Sequence, residues 1–209
     1  MKTDPFDRYH ERYDDWFNKH EKVYESELKA VRDLLPSKGK GIEIGVGSGR
    51  FAYPLSIGYG LDPSKKMLRL ADERGIQVVR GVGENIPFKN GSFDFALIVT
   101  TICFFDDPTK ALKETARILK PEGTVIIGFI DKESPVGQTY QKKKDENVFY
   151  SDANFFSIEE VIELLNQVGF SNLSFVQTIF EGIDKERVEK PKKGYGEGSF
   201  VVLRAEKCV

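Results

Sequence analysis

Glu43, Gly45, Gly47, Gly49 and Asp62 have the types and the spacing to hold a cofactor. Glu43 stands at the tip of a β-branched run (residues 41–44), three alternating glycines follow, and Asp62 closes the next apolar run, 56–62. Strand, glycine turn, helix, strand and acid is the order in which an α/β sheet binds an adenosine-containing molecule. The glycines let backbone approach the ligand, and the acid takes the ribose hydroxyls. A dinucleotide fingerprint, G-x-G-x-x-G, needs its last glycine where helix and strand pack beneath a pyrophosphate. Counted from Gly45, that place is Arg50. No Gly-Lys-Ser/Thr follows, which excludes a P-loop.

The resulting E-x-G-x-G-x-G pattern resembles motif I of the class I S-adenosylmethionine (SAM)-dependent methyltransferases. The resemblance continues along the chain. Gly81-Val82-Gly83-Glu84-Asn85-Ile86-Pro87-Phe88 and Ser92-Phe93-Asp94 are similar to the adenine loop and the start of strand 4 in that family. The stretch PTKALKETARILKPEG at 108–123 matches the helix before strand 5, and the block from Phe156 to Phe170 matches a late helix. The pattern is nearest to small-molecule methyltransferases of the ubiquinone/menaquinone-biosynthesis type. The resemblance implies SAM as cofactor, S-adenosylhomocysteine (SAH) as product and no metal. It places cofactor contacts at Glu43, Gly45, Gly47, Gly49, Asp62, Pro63, Gly83, Glu84, Asn85 and Thr100. Two departures stand out. Val82 replaces the Asp that receives the adenine amino group, leaving Glu84, Asn85 or a backbone carbonyl to do so. Phe104 occupies the place of a His that faces the acceptor in many relatives.

Methyl transfer from SAM is an in-line displacement, for which proximity and orientation supply much of the acceleration. A neutral amine needs no strong base, only surroundings that disfavour its protonated form. The missing His therefore favours nitrogen over oxygen, which wants a base near the hydroxyl. His10 and Tyr13 are the remaining weak catalytic candidates. Cys103 lies among apolar residues with no cation to activate it and reads as core. Tyr9, Tyr13, Trp16, Phe104 and Tyr150 are candidates for the acceptor pocket. The stripe Tyr9, Tyr13, Trp16 and Phe17 reads either as a lid over that pocket or as plain packing surface. The alternatives are a non-catalytic SAM- or nucleoside-binding module and, disfavoured by Arg50, an NAD-linked oxidoreductase.

These residues need a scaffold. Residues 4–35 read as helical, with aromatic residues at three- and four-residue steps, until Pro36 and Gly39 stop the run. Strands at 41–45, 56–61, 76–81, 93–100 and 124–130 alternate with a short helix from 49 and helices at 64–74 and 108–120. Asp107 is the cap of the last of these. Ser157-Ile158-Glu159-Glu160 is a capping box, and Gly169 stops the helix it opens. Strands at 172–181 and 198–206, joined by a Lys/Glu/Gly-rich connection, suggest an antiparallel hairpin. The expected fold is an α/β, doubly wound, mostly parallel Rossmann-like sheet of about seven strands, with a C-terminal antiparallel hairpin and N-terminal helices. Residues 1–36 form a helical cap and 37–209 one SAM-binding unit. The insertion at 131–156 extends from a carboxyl strand end, where such folds build substrate pockets.

At 209 residues, 40% hydrophobic and 31% charged, the chain suits one soluble α/β domain. A net charge of −2 without a basic stripe argues against nucleic acid. Two cysteines, Cys103 and Cys208, make neither a disulfide framework nor a metal spacing. With no apolar run of membrane length and no leader, the expectation is a cytoplasmic monomer or homodimer acting on a small molecule.

Overall fold

A computed structural model describes residues 4–184 and 186–208. The N-terminal run is three helices rather than one: α1 (Asp4–Arg8), α2 (His10–Lys19) and α3 (Glu21–Leu34). The breaks fall at Tyr9 and His20, whose backbones leave the helical region. Each break has an imidazole beside it. His10 Nδ1 meets the Asp7 carbonyl at 3.2 Å, and His20 Nδ1 meets at 3.0 Å the Trp16 carbonyl that also accepts the His20 N–H at 2.9 Å. The inward face of α3 is Val23, Ser26, Glu27, Ala30 and Val31. Tyr24, Leu28 and Leu35 pack half-buried beside it.

The sheet has eight strands: β1 (Gly41–Ile44), β2 (Tyr59–Asp62), β3 (Gln77–Arg80), β4 (Phe93–Val99), β5 (Leu119–Ile130), β6 (Phe170–Thr178), β7 (Lys192–Lys193) and β8 (Phe200–Lys207). Their order is β3-β2-β1-β4-β5-β8-β6-β7. The first five run parallel, and β8 inserts antiparallel between β5 and β6, so the expected terminal hairpin is present. The extra strand is the two-residue β7 on the edge of β6. Crossovers are α4 (Lys65–Glu73, capped by Ser64), α5 (Pro108–Ile118, capped by Asp107) and α7 (Ile158–Gln167, opened by the capping box). The insertion after β5 carries α6 (Pro135–Lys142).

Two expectations are corrected. No α-helix follows the glycine turn: residues 49–56 form consecutive turns. Tyr53 N–H still reaches the Gly49 carbonyl at 3.0 Å, but Pro54 has no N–H to continue the ladder and Ser56 takes φ 57°. Second, the segment 121–123 is a bulge within β5 rather than a turn before it. Leu119 already pairs with Phe93, and the register shifts before Thr124 meets Phe95. No helix among the described residues is long and apolar enough to cross a membrane.

Candidate functional site at the strand-order reversal

The order β3-β2-β1-β4-β5 reverses direction between β1 and β4. Open α/β sheets bind ligands at the carboxyl ends of the strands flanking such a point. Here the chain leaves β1 through Gly45 and β4 through Thr100. Both line one cleft with Phe6, Tyr13, Gly47, Asp62, Pro63, Ser64, Met67, Thr101 and Phe104.

Local chemistry holds the cleft in shape. Gly45 and Val46 donate their N–H groups to the Leu61 carbonyl at 2.7 and 3.0 Å, tying the turn to β2. Gly47 has φ 52°, and a Cβ there would project into open space. A glycine is kept where nothing crowds it because backbone sits bare on the cleft in a left-handed conformation. Its N–H donates to Asp62 Oδ2 at 3.0 Å, and Ser64 N–H donates to Oδ1 at 2.8 Å. Burial pushes the Asp62 carboxyl up to about 6, the two backbone donors pull against it, and the negative charge of Asp7 adds to the rise. Thr100 is β-branched yet holds φ 48°. Strain of that kind is tolerated where it aims a group at a site.

Helices α1 and α2 close the cleft from above. Asp7 accepts the Ser64 hydroxyl at 2.6 Å and the Lys66 N–H at 3.3 Å, clasping α1 to the start of α4. Asp14 on α2 accepts Arg50 Nη2 at 2.6 Å, Arg74 Nη2 at 3.0 Å and the Ser48 hydroxyl at 2.6 Å. Burial raises the Asp14 carboxyl, but these partners outweigh it and hold the group down at about 2. Arg50, which fills the place of a pyrophosphate glycine, thus clamps α2 to the glycine turn. With this cover closed, the cleft has about 50 Å³ of free space.

Tyr13 and Thr100 also line a second cavity of about 240 Å³, shared with Arg12, Trp16, Phe17, Glu27, Ile130, Tyr140, Asn147, Phe149, Tyr150 and Ile183. Its walls are largely aromatic. Phe149 meets Tyr13 edge-on at 5.4 Å, and Tyr150 stacks on Tyr140 at 5.3 Å. Burial pushes the Tyr140 phenol up to about 12 and raises Tyr13 and Tyr150 as well, so none of the three is an anion at neutral pH. Cys103, read as core, is instead half-buried and lines a small apolar pocket beside Tyr140 and Tyr150, where burial lifts its thiol to about 12. Glu27 is 4% exposed, and burial alone pushes its carboxyl up to about 8.

Of the expected cofactor residues, Gly45, Gly47, Asp62, Pro63 and Thr100 meet in the cleft. The others lie elsewhere. Glu43 is buried beneath the turn at 2% exposure, where the Ala52 backbone bonds to it and its Oε2 has no hydrogen-bond partner among the described residues. Gly49 faces Ile76, at φ 84°, and Gly83 lies against the Phe105 ring. Glu84 accepts the Asp106 N–H at 2.8 Å, bracing the entrance to α5. Asn85 is exposed and bridges through its backbone to Val82. Of the acceptor-pocket candidates, Tyr13, Trp16 and Tyr150 line the cavity and Phe104 lines the cleft. Tyr9 is 37% exposed and touches only the outer edge of Phe149. His10 lines neither space.

Sequence reasoning missed Ser64, Met67, Thr101, Ile183 and Glu27. Glu27 carried a signal: it falls four after Val23 and three before Ala30, an acid on an apolar stripe. Ile183 carried none, since the connection bearing it is placed by Glu189. The Glu189 carboxylate accepts Phe180 N–H at 2.6 Å, and its own N–H donates to the Ser26 hydroxyl at 2.9 Å.

A doubly wound sheet whose reversal point carries a bare glycine turn and an acid after β2 defines a nucleoside-cofactor protein of the Rossmann-like class. The comparisons narrow the class. Residues 42–127 match the model of a methyltransferase domain family. An uncharacterized protein of Methanocaldococcus jannaschii is 50% identical over 97% of this chain and 98% of its own length. A crystal structure from Thermotoga maritima, described as a SAM-dependent methyltransferase and possible histamine N-methyltransferase, is 50% identical. It superposes with a TM-score of 0.96 over 99% of this chain and 100% of its own. A demethylmenaquinone methyltransferase of Staphylococcus saprophyticus is 27% identical over 75% of this chain and 80% of its own. The chain belongs to the SAM-dependent methyltransferases.

Proposed function

We propose that this protein transfers the methyl group of SAM to an amine nitrogen of a small molecule in the cytoplasm, with residues 1–36 as its cap. The observation that carries this reading is the aromatic cavity adjoining the cleft across Tyr13 and Thr100. An engineered cavity of about 150 Å³ holds benzene, so about 240 Å³ suits a small ring or short chain and not a polymer. No histidine lines either space, and the phenols that do have raised pKa values. Glu27, whose carboxyl burial raises to about 8, is the group in the cavity that can take a proton, and aromatic surroundings favour a neutral amine with its lone pair free. The description of the T. maritima relative points the same way.

The cleft residues fit the cofactor. The Asp62 carboxylate, ionised above about pH 6, keeps lone pairs for two ribose hydroxyls after accepting Gly47 and Ser64. Gly47 lets backbone lie against the ligand, and Tyr13 and Thr100 stand between cofactor and acceptor. When bound, SAM supplies an activated sulfonium methyl open to in-line displacement. The chain contributes alignment and exclusion of water through Phe6, Tyr13 and Phe104. Incubation with methyl-labelled SAM and a panel of small amines, phenols and quinols should place label on an amine. Label found only on oxygen or carbon acceptors would overturn the nitrogen assignment.

A further inference from the structure

We infer that the methyl acceptor enters the aromatic cavity as an ammonium ion, that Glu27 is the carboxylate that pairs with its charge, and that the ammonium proton passes to Glu27, freeing the nitrogen lone pair before methyl transfer. The inference rests on the small-amine reading above and adds a recognition residue to it.

Interior acids in this protein are supplied with partners, and the exceptions are informative. Asp14 has Arg50 and Arg74, Asp62 has two backbone donors, Asp131 accepts the Glu133 N–H at 3.0 Å, and Glu189 accepts Phe180 N–H. Glu27 has no hydrogen bond or ion pair with any described residue, although it is 4% exposed. An acid so buried is almost always paired, because an uncompensated charge loses its hydration without recompense. Glu43 is bonded by the Ala52 backbone and lines neither the cleft nor the cavity, whereas Glu27 lines the cavity of about 240 Å³. Glu27 does not line the cofactor cleft, so the cofactor does not supply its partner. Arg12, which also lines the cavity, stands over the Phe149 ring at 5.8 Å, is exposed, and makes no ion pair with Glu27.

The missing counter-charge is therefore one that a ligand brings. The walls agree with a cation. Trp16, Phe17, Tyr140, Phe149 and Tyr150 line it with aromatic rings, whose π-systems attract positive charge. Two attractive elements, a carboxylate and aromatic rings, select a positive group.

The test uses the full chain saturated with SAH, titrated calorimetrically with phenethylamine, tryptamine and histamine and with the alcohols that replace each primary amine. Wild type should bind at least one amine tenfold or more tightly than its alcohol. In Glu27→Gln that preference should fall to within about twofold while the affinities for SAH and for the alcohols stay unchanged. The thermal midpoint of each SAH complex verifies that the variant is folded, and Glu27→Asp, which keeps the charge, should retain part of the preference. No amine preference in wild type, or one undiminished in Glu27→Gln, overturns the inference. Methyl transfer to nitrogen, measured separately with labelled SAM, tests the amine reading itself. Nitrogen methylation with equal KM in wild type and Glu27→Gln would keep that reading and remove Glu27. An amine preference lost in Glu27→Gln, with label arriving only on carbon or oxygen, would do the opposite.

Discussion

Asp62 holds the turn and faces the cleft with the same carboxylate, and the two jobs can be separated by measurement. Its oxygens accept Gly47 and Ser64 N–H groups at 3.0 and 2.8 Å, yet an ionised carboxylate has capacity for further donors. Hydrogen bonds to a charged group contribute about 1.5–3 kcal/mol each. Asp62→Ala is expected to weaken SAH binding about tenfold or more in a titration calorimeter. The pH dependence has a definite sign. Burial places the free carboxyl at about 6, and hydroxyl donors favour the ionised form. Wild-type affinity should therefore strengthen as pH rises from 5 to 7.5, and Asp62→Ala should lose that slope. Equal affinity in the folded variant would remove Asp62 from the site.

At the scale of elements, α1 and α2 are both cover and packing, so the two readings of the aromatic stripe divide by residue. Phe17 is buried in the core, Tyr13 and Trp16 line the cavity, and Tyr9 is exposed. With the cover closed, about 50 Å³ is too small for a molecule of nucleoside size, so α1 must move for one to pass. The Asp14 clamp sets how firmly α2 stays docked. Its carboxyl falls from 3.8 to about 2 on folding. A depressed acid stabilises the folded state above its unfolded value and loses that contribution as pH falls toward the folded one. That contribution is present above about pH 4 and lost toward pH 2. The single tryptophan, Trp16, reports on α2. Asp14→Ala should red-shift Trp16 emission at pH 7, where wild type shows the same shift only on acidification between pH 4 and 2. Identical emission of variant and wild type at pH 7 would show that α2 is held by its apolar face alone.

For the whole molecule, the strand order matters more than any one side chain. Sheet order places Gly45 and Thr100 side by side though they are far apart in the chain, and a ligand bound there ties β1, β2, β4 and the cover together. Binding to the folded state alone adds about 2.7 kcal/mol of stability at a hundred times the dissociation constant. In a chain of 209 residues that raises the melting midpoint by about 5–11 °C, at roughly 2–4 °C per kcal/mol. SAH should produce such a rise in a thermal scan and NAD should not, since Arg50 is committed to Asp14 where a pyrophosphate turn needs glycine. Equal stabilisation by NAD would point to a dinucleotide site.

Local signals read correctly wherever the physics was local. Asp107 accepts the N–H of Lys110, and the capping box at Ser157 and Glu160 closes in both directions, because a cap needs only residues within one turn. Period and glycine spacing likewise carried the parallel sheet, the terminal hairpin and the cofactor class. What failed locally was subtle. The backbone leaves the helical region at Tyr9 and His20, splitting one apparent helix into three pieces, and Pro54 turned an expected helix into turns. Whatever depends on separate segments meeting was decided by tertiary structure alone. Arg50 could be seen to spoil a dinucleotide turn, but its ion pair with Asp14 required α2 to fold back across the cleft. Glu27 was visible as an acid on an apolar stripe, but only the docking of α3 beside the residue 180–189 connection and the 131–156 insertion turned it toward an enclosed aromatic space. A charge takes its meaning from what surrounds it, and those surroundings come from four distant parts of the chain.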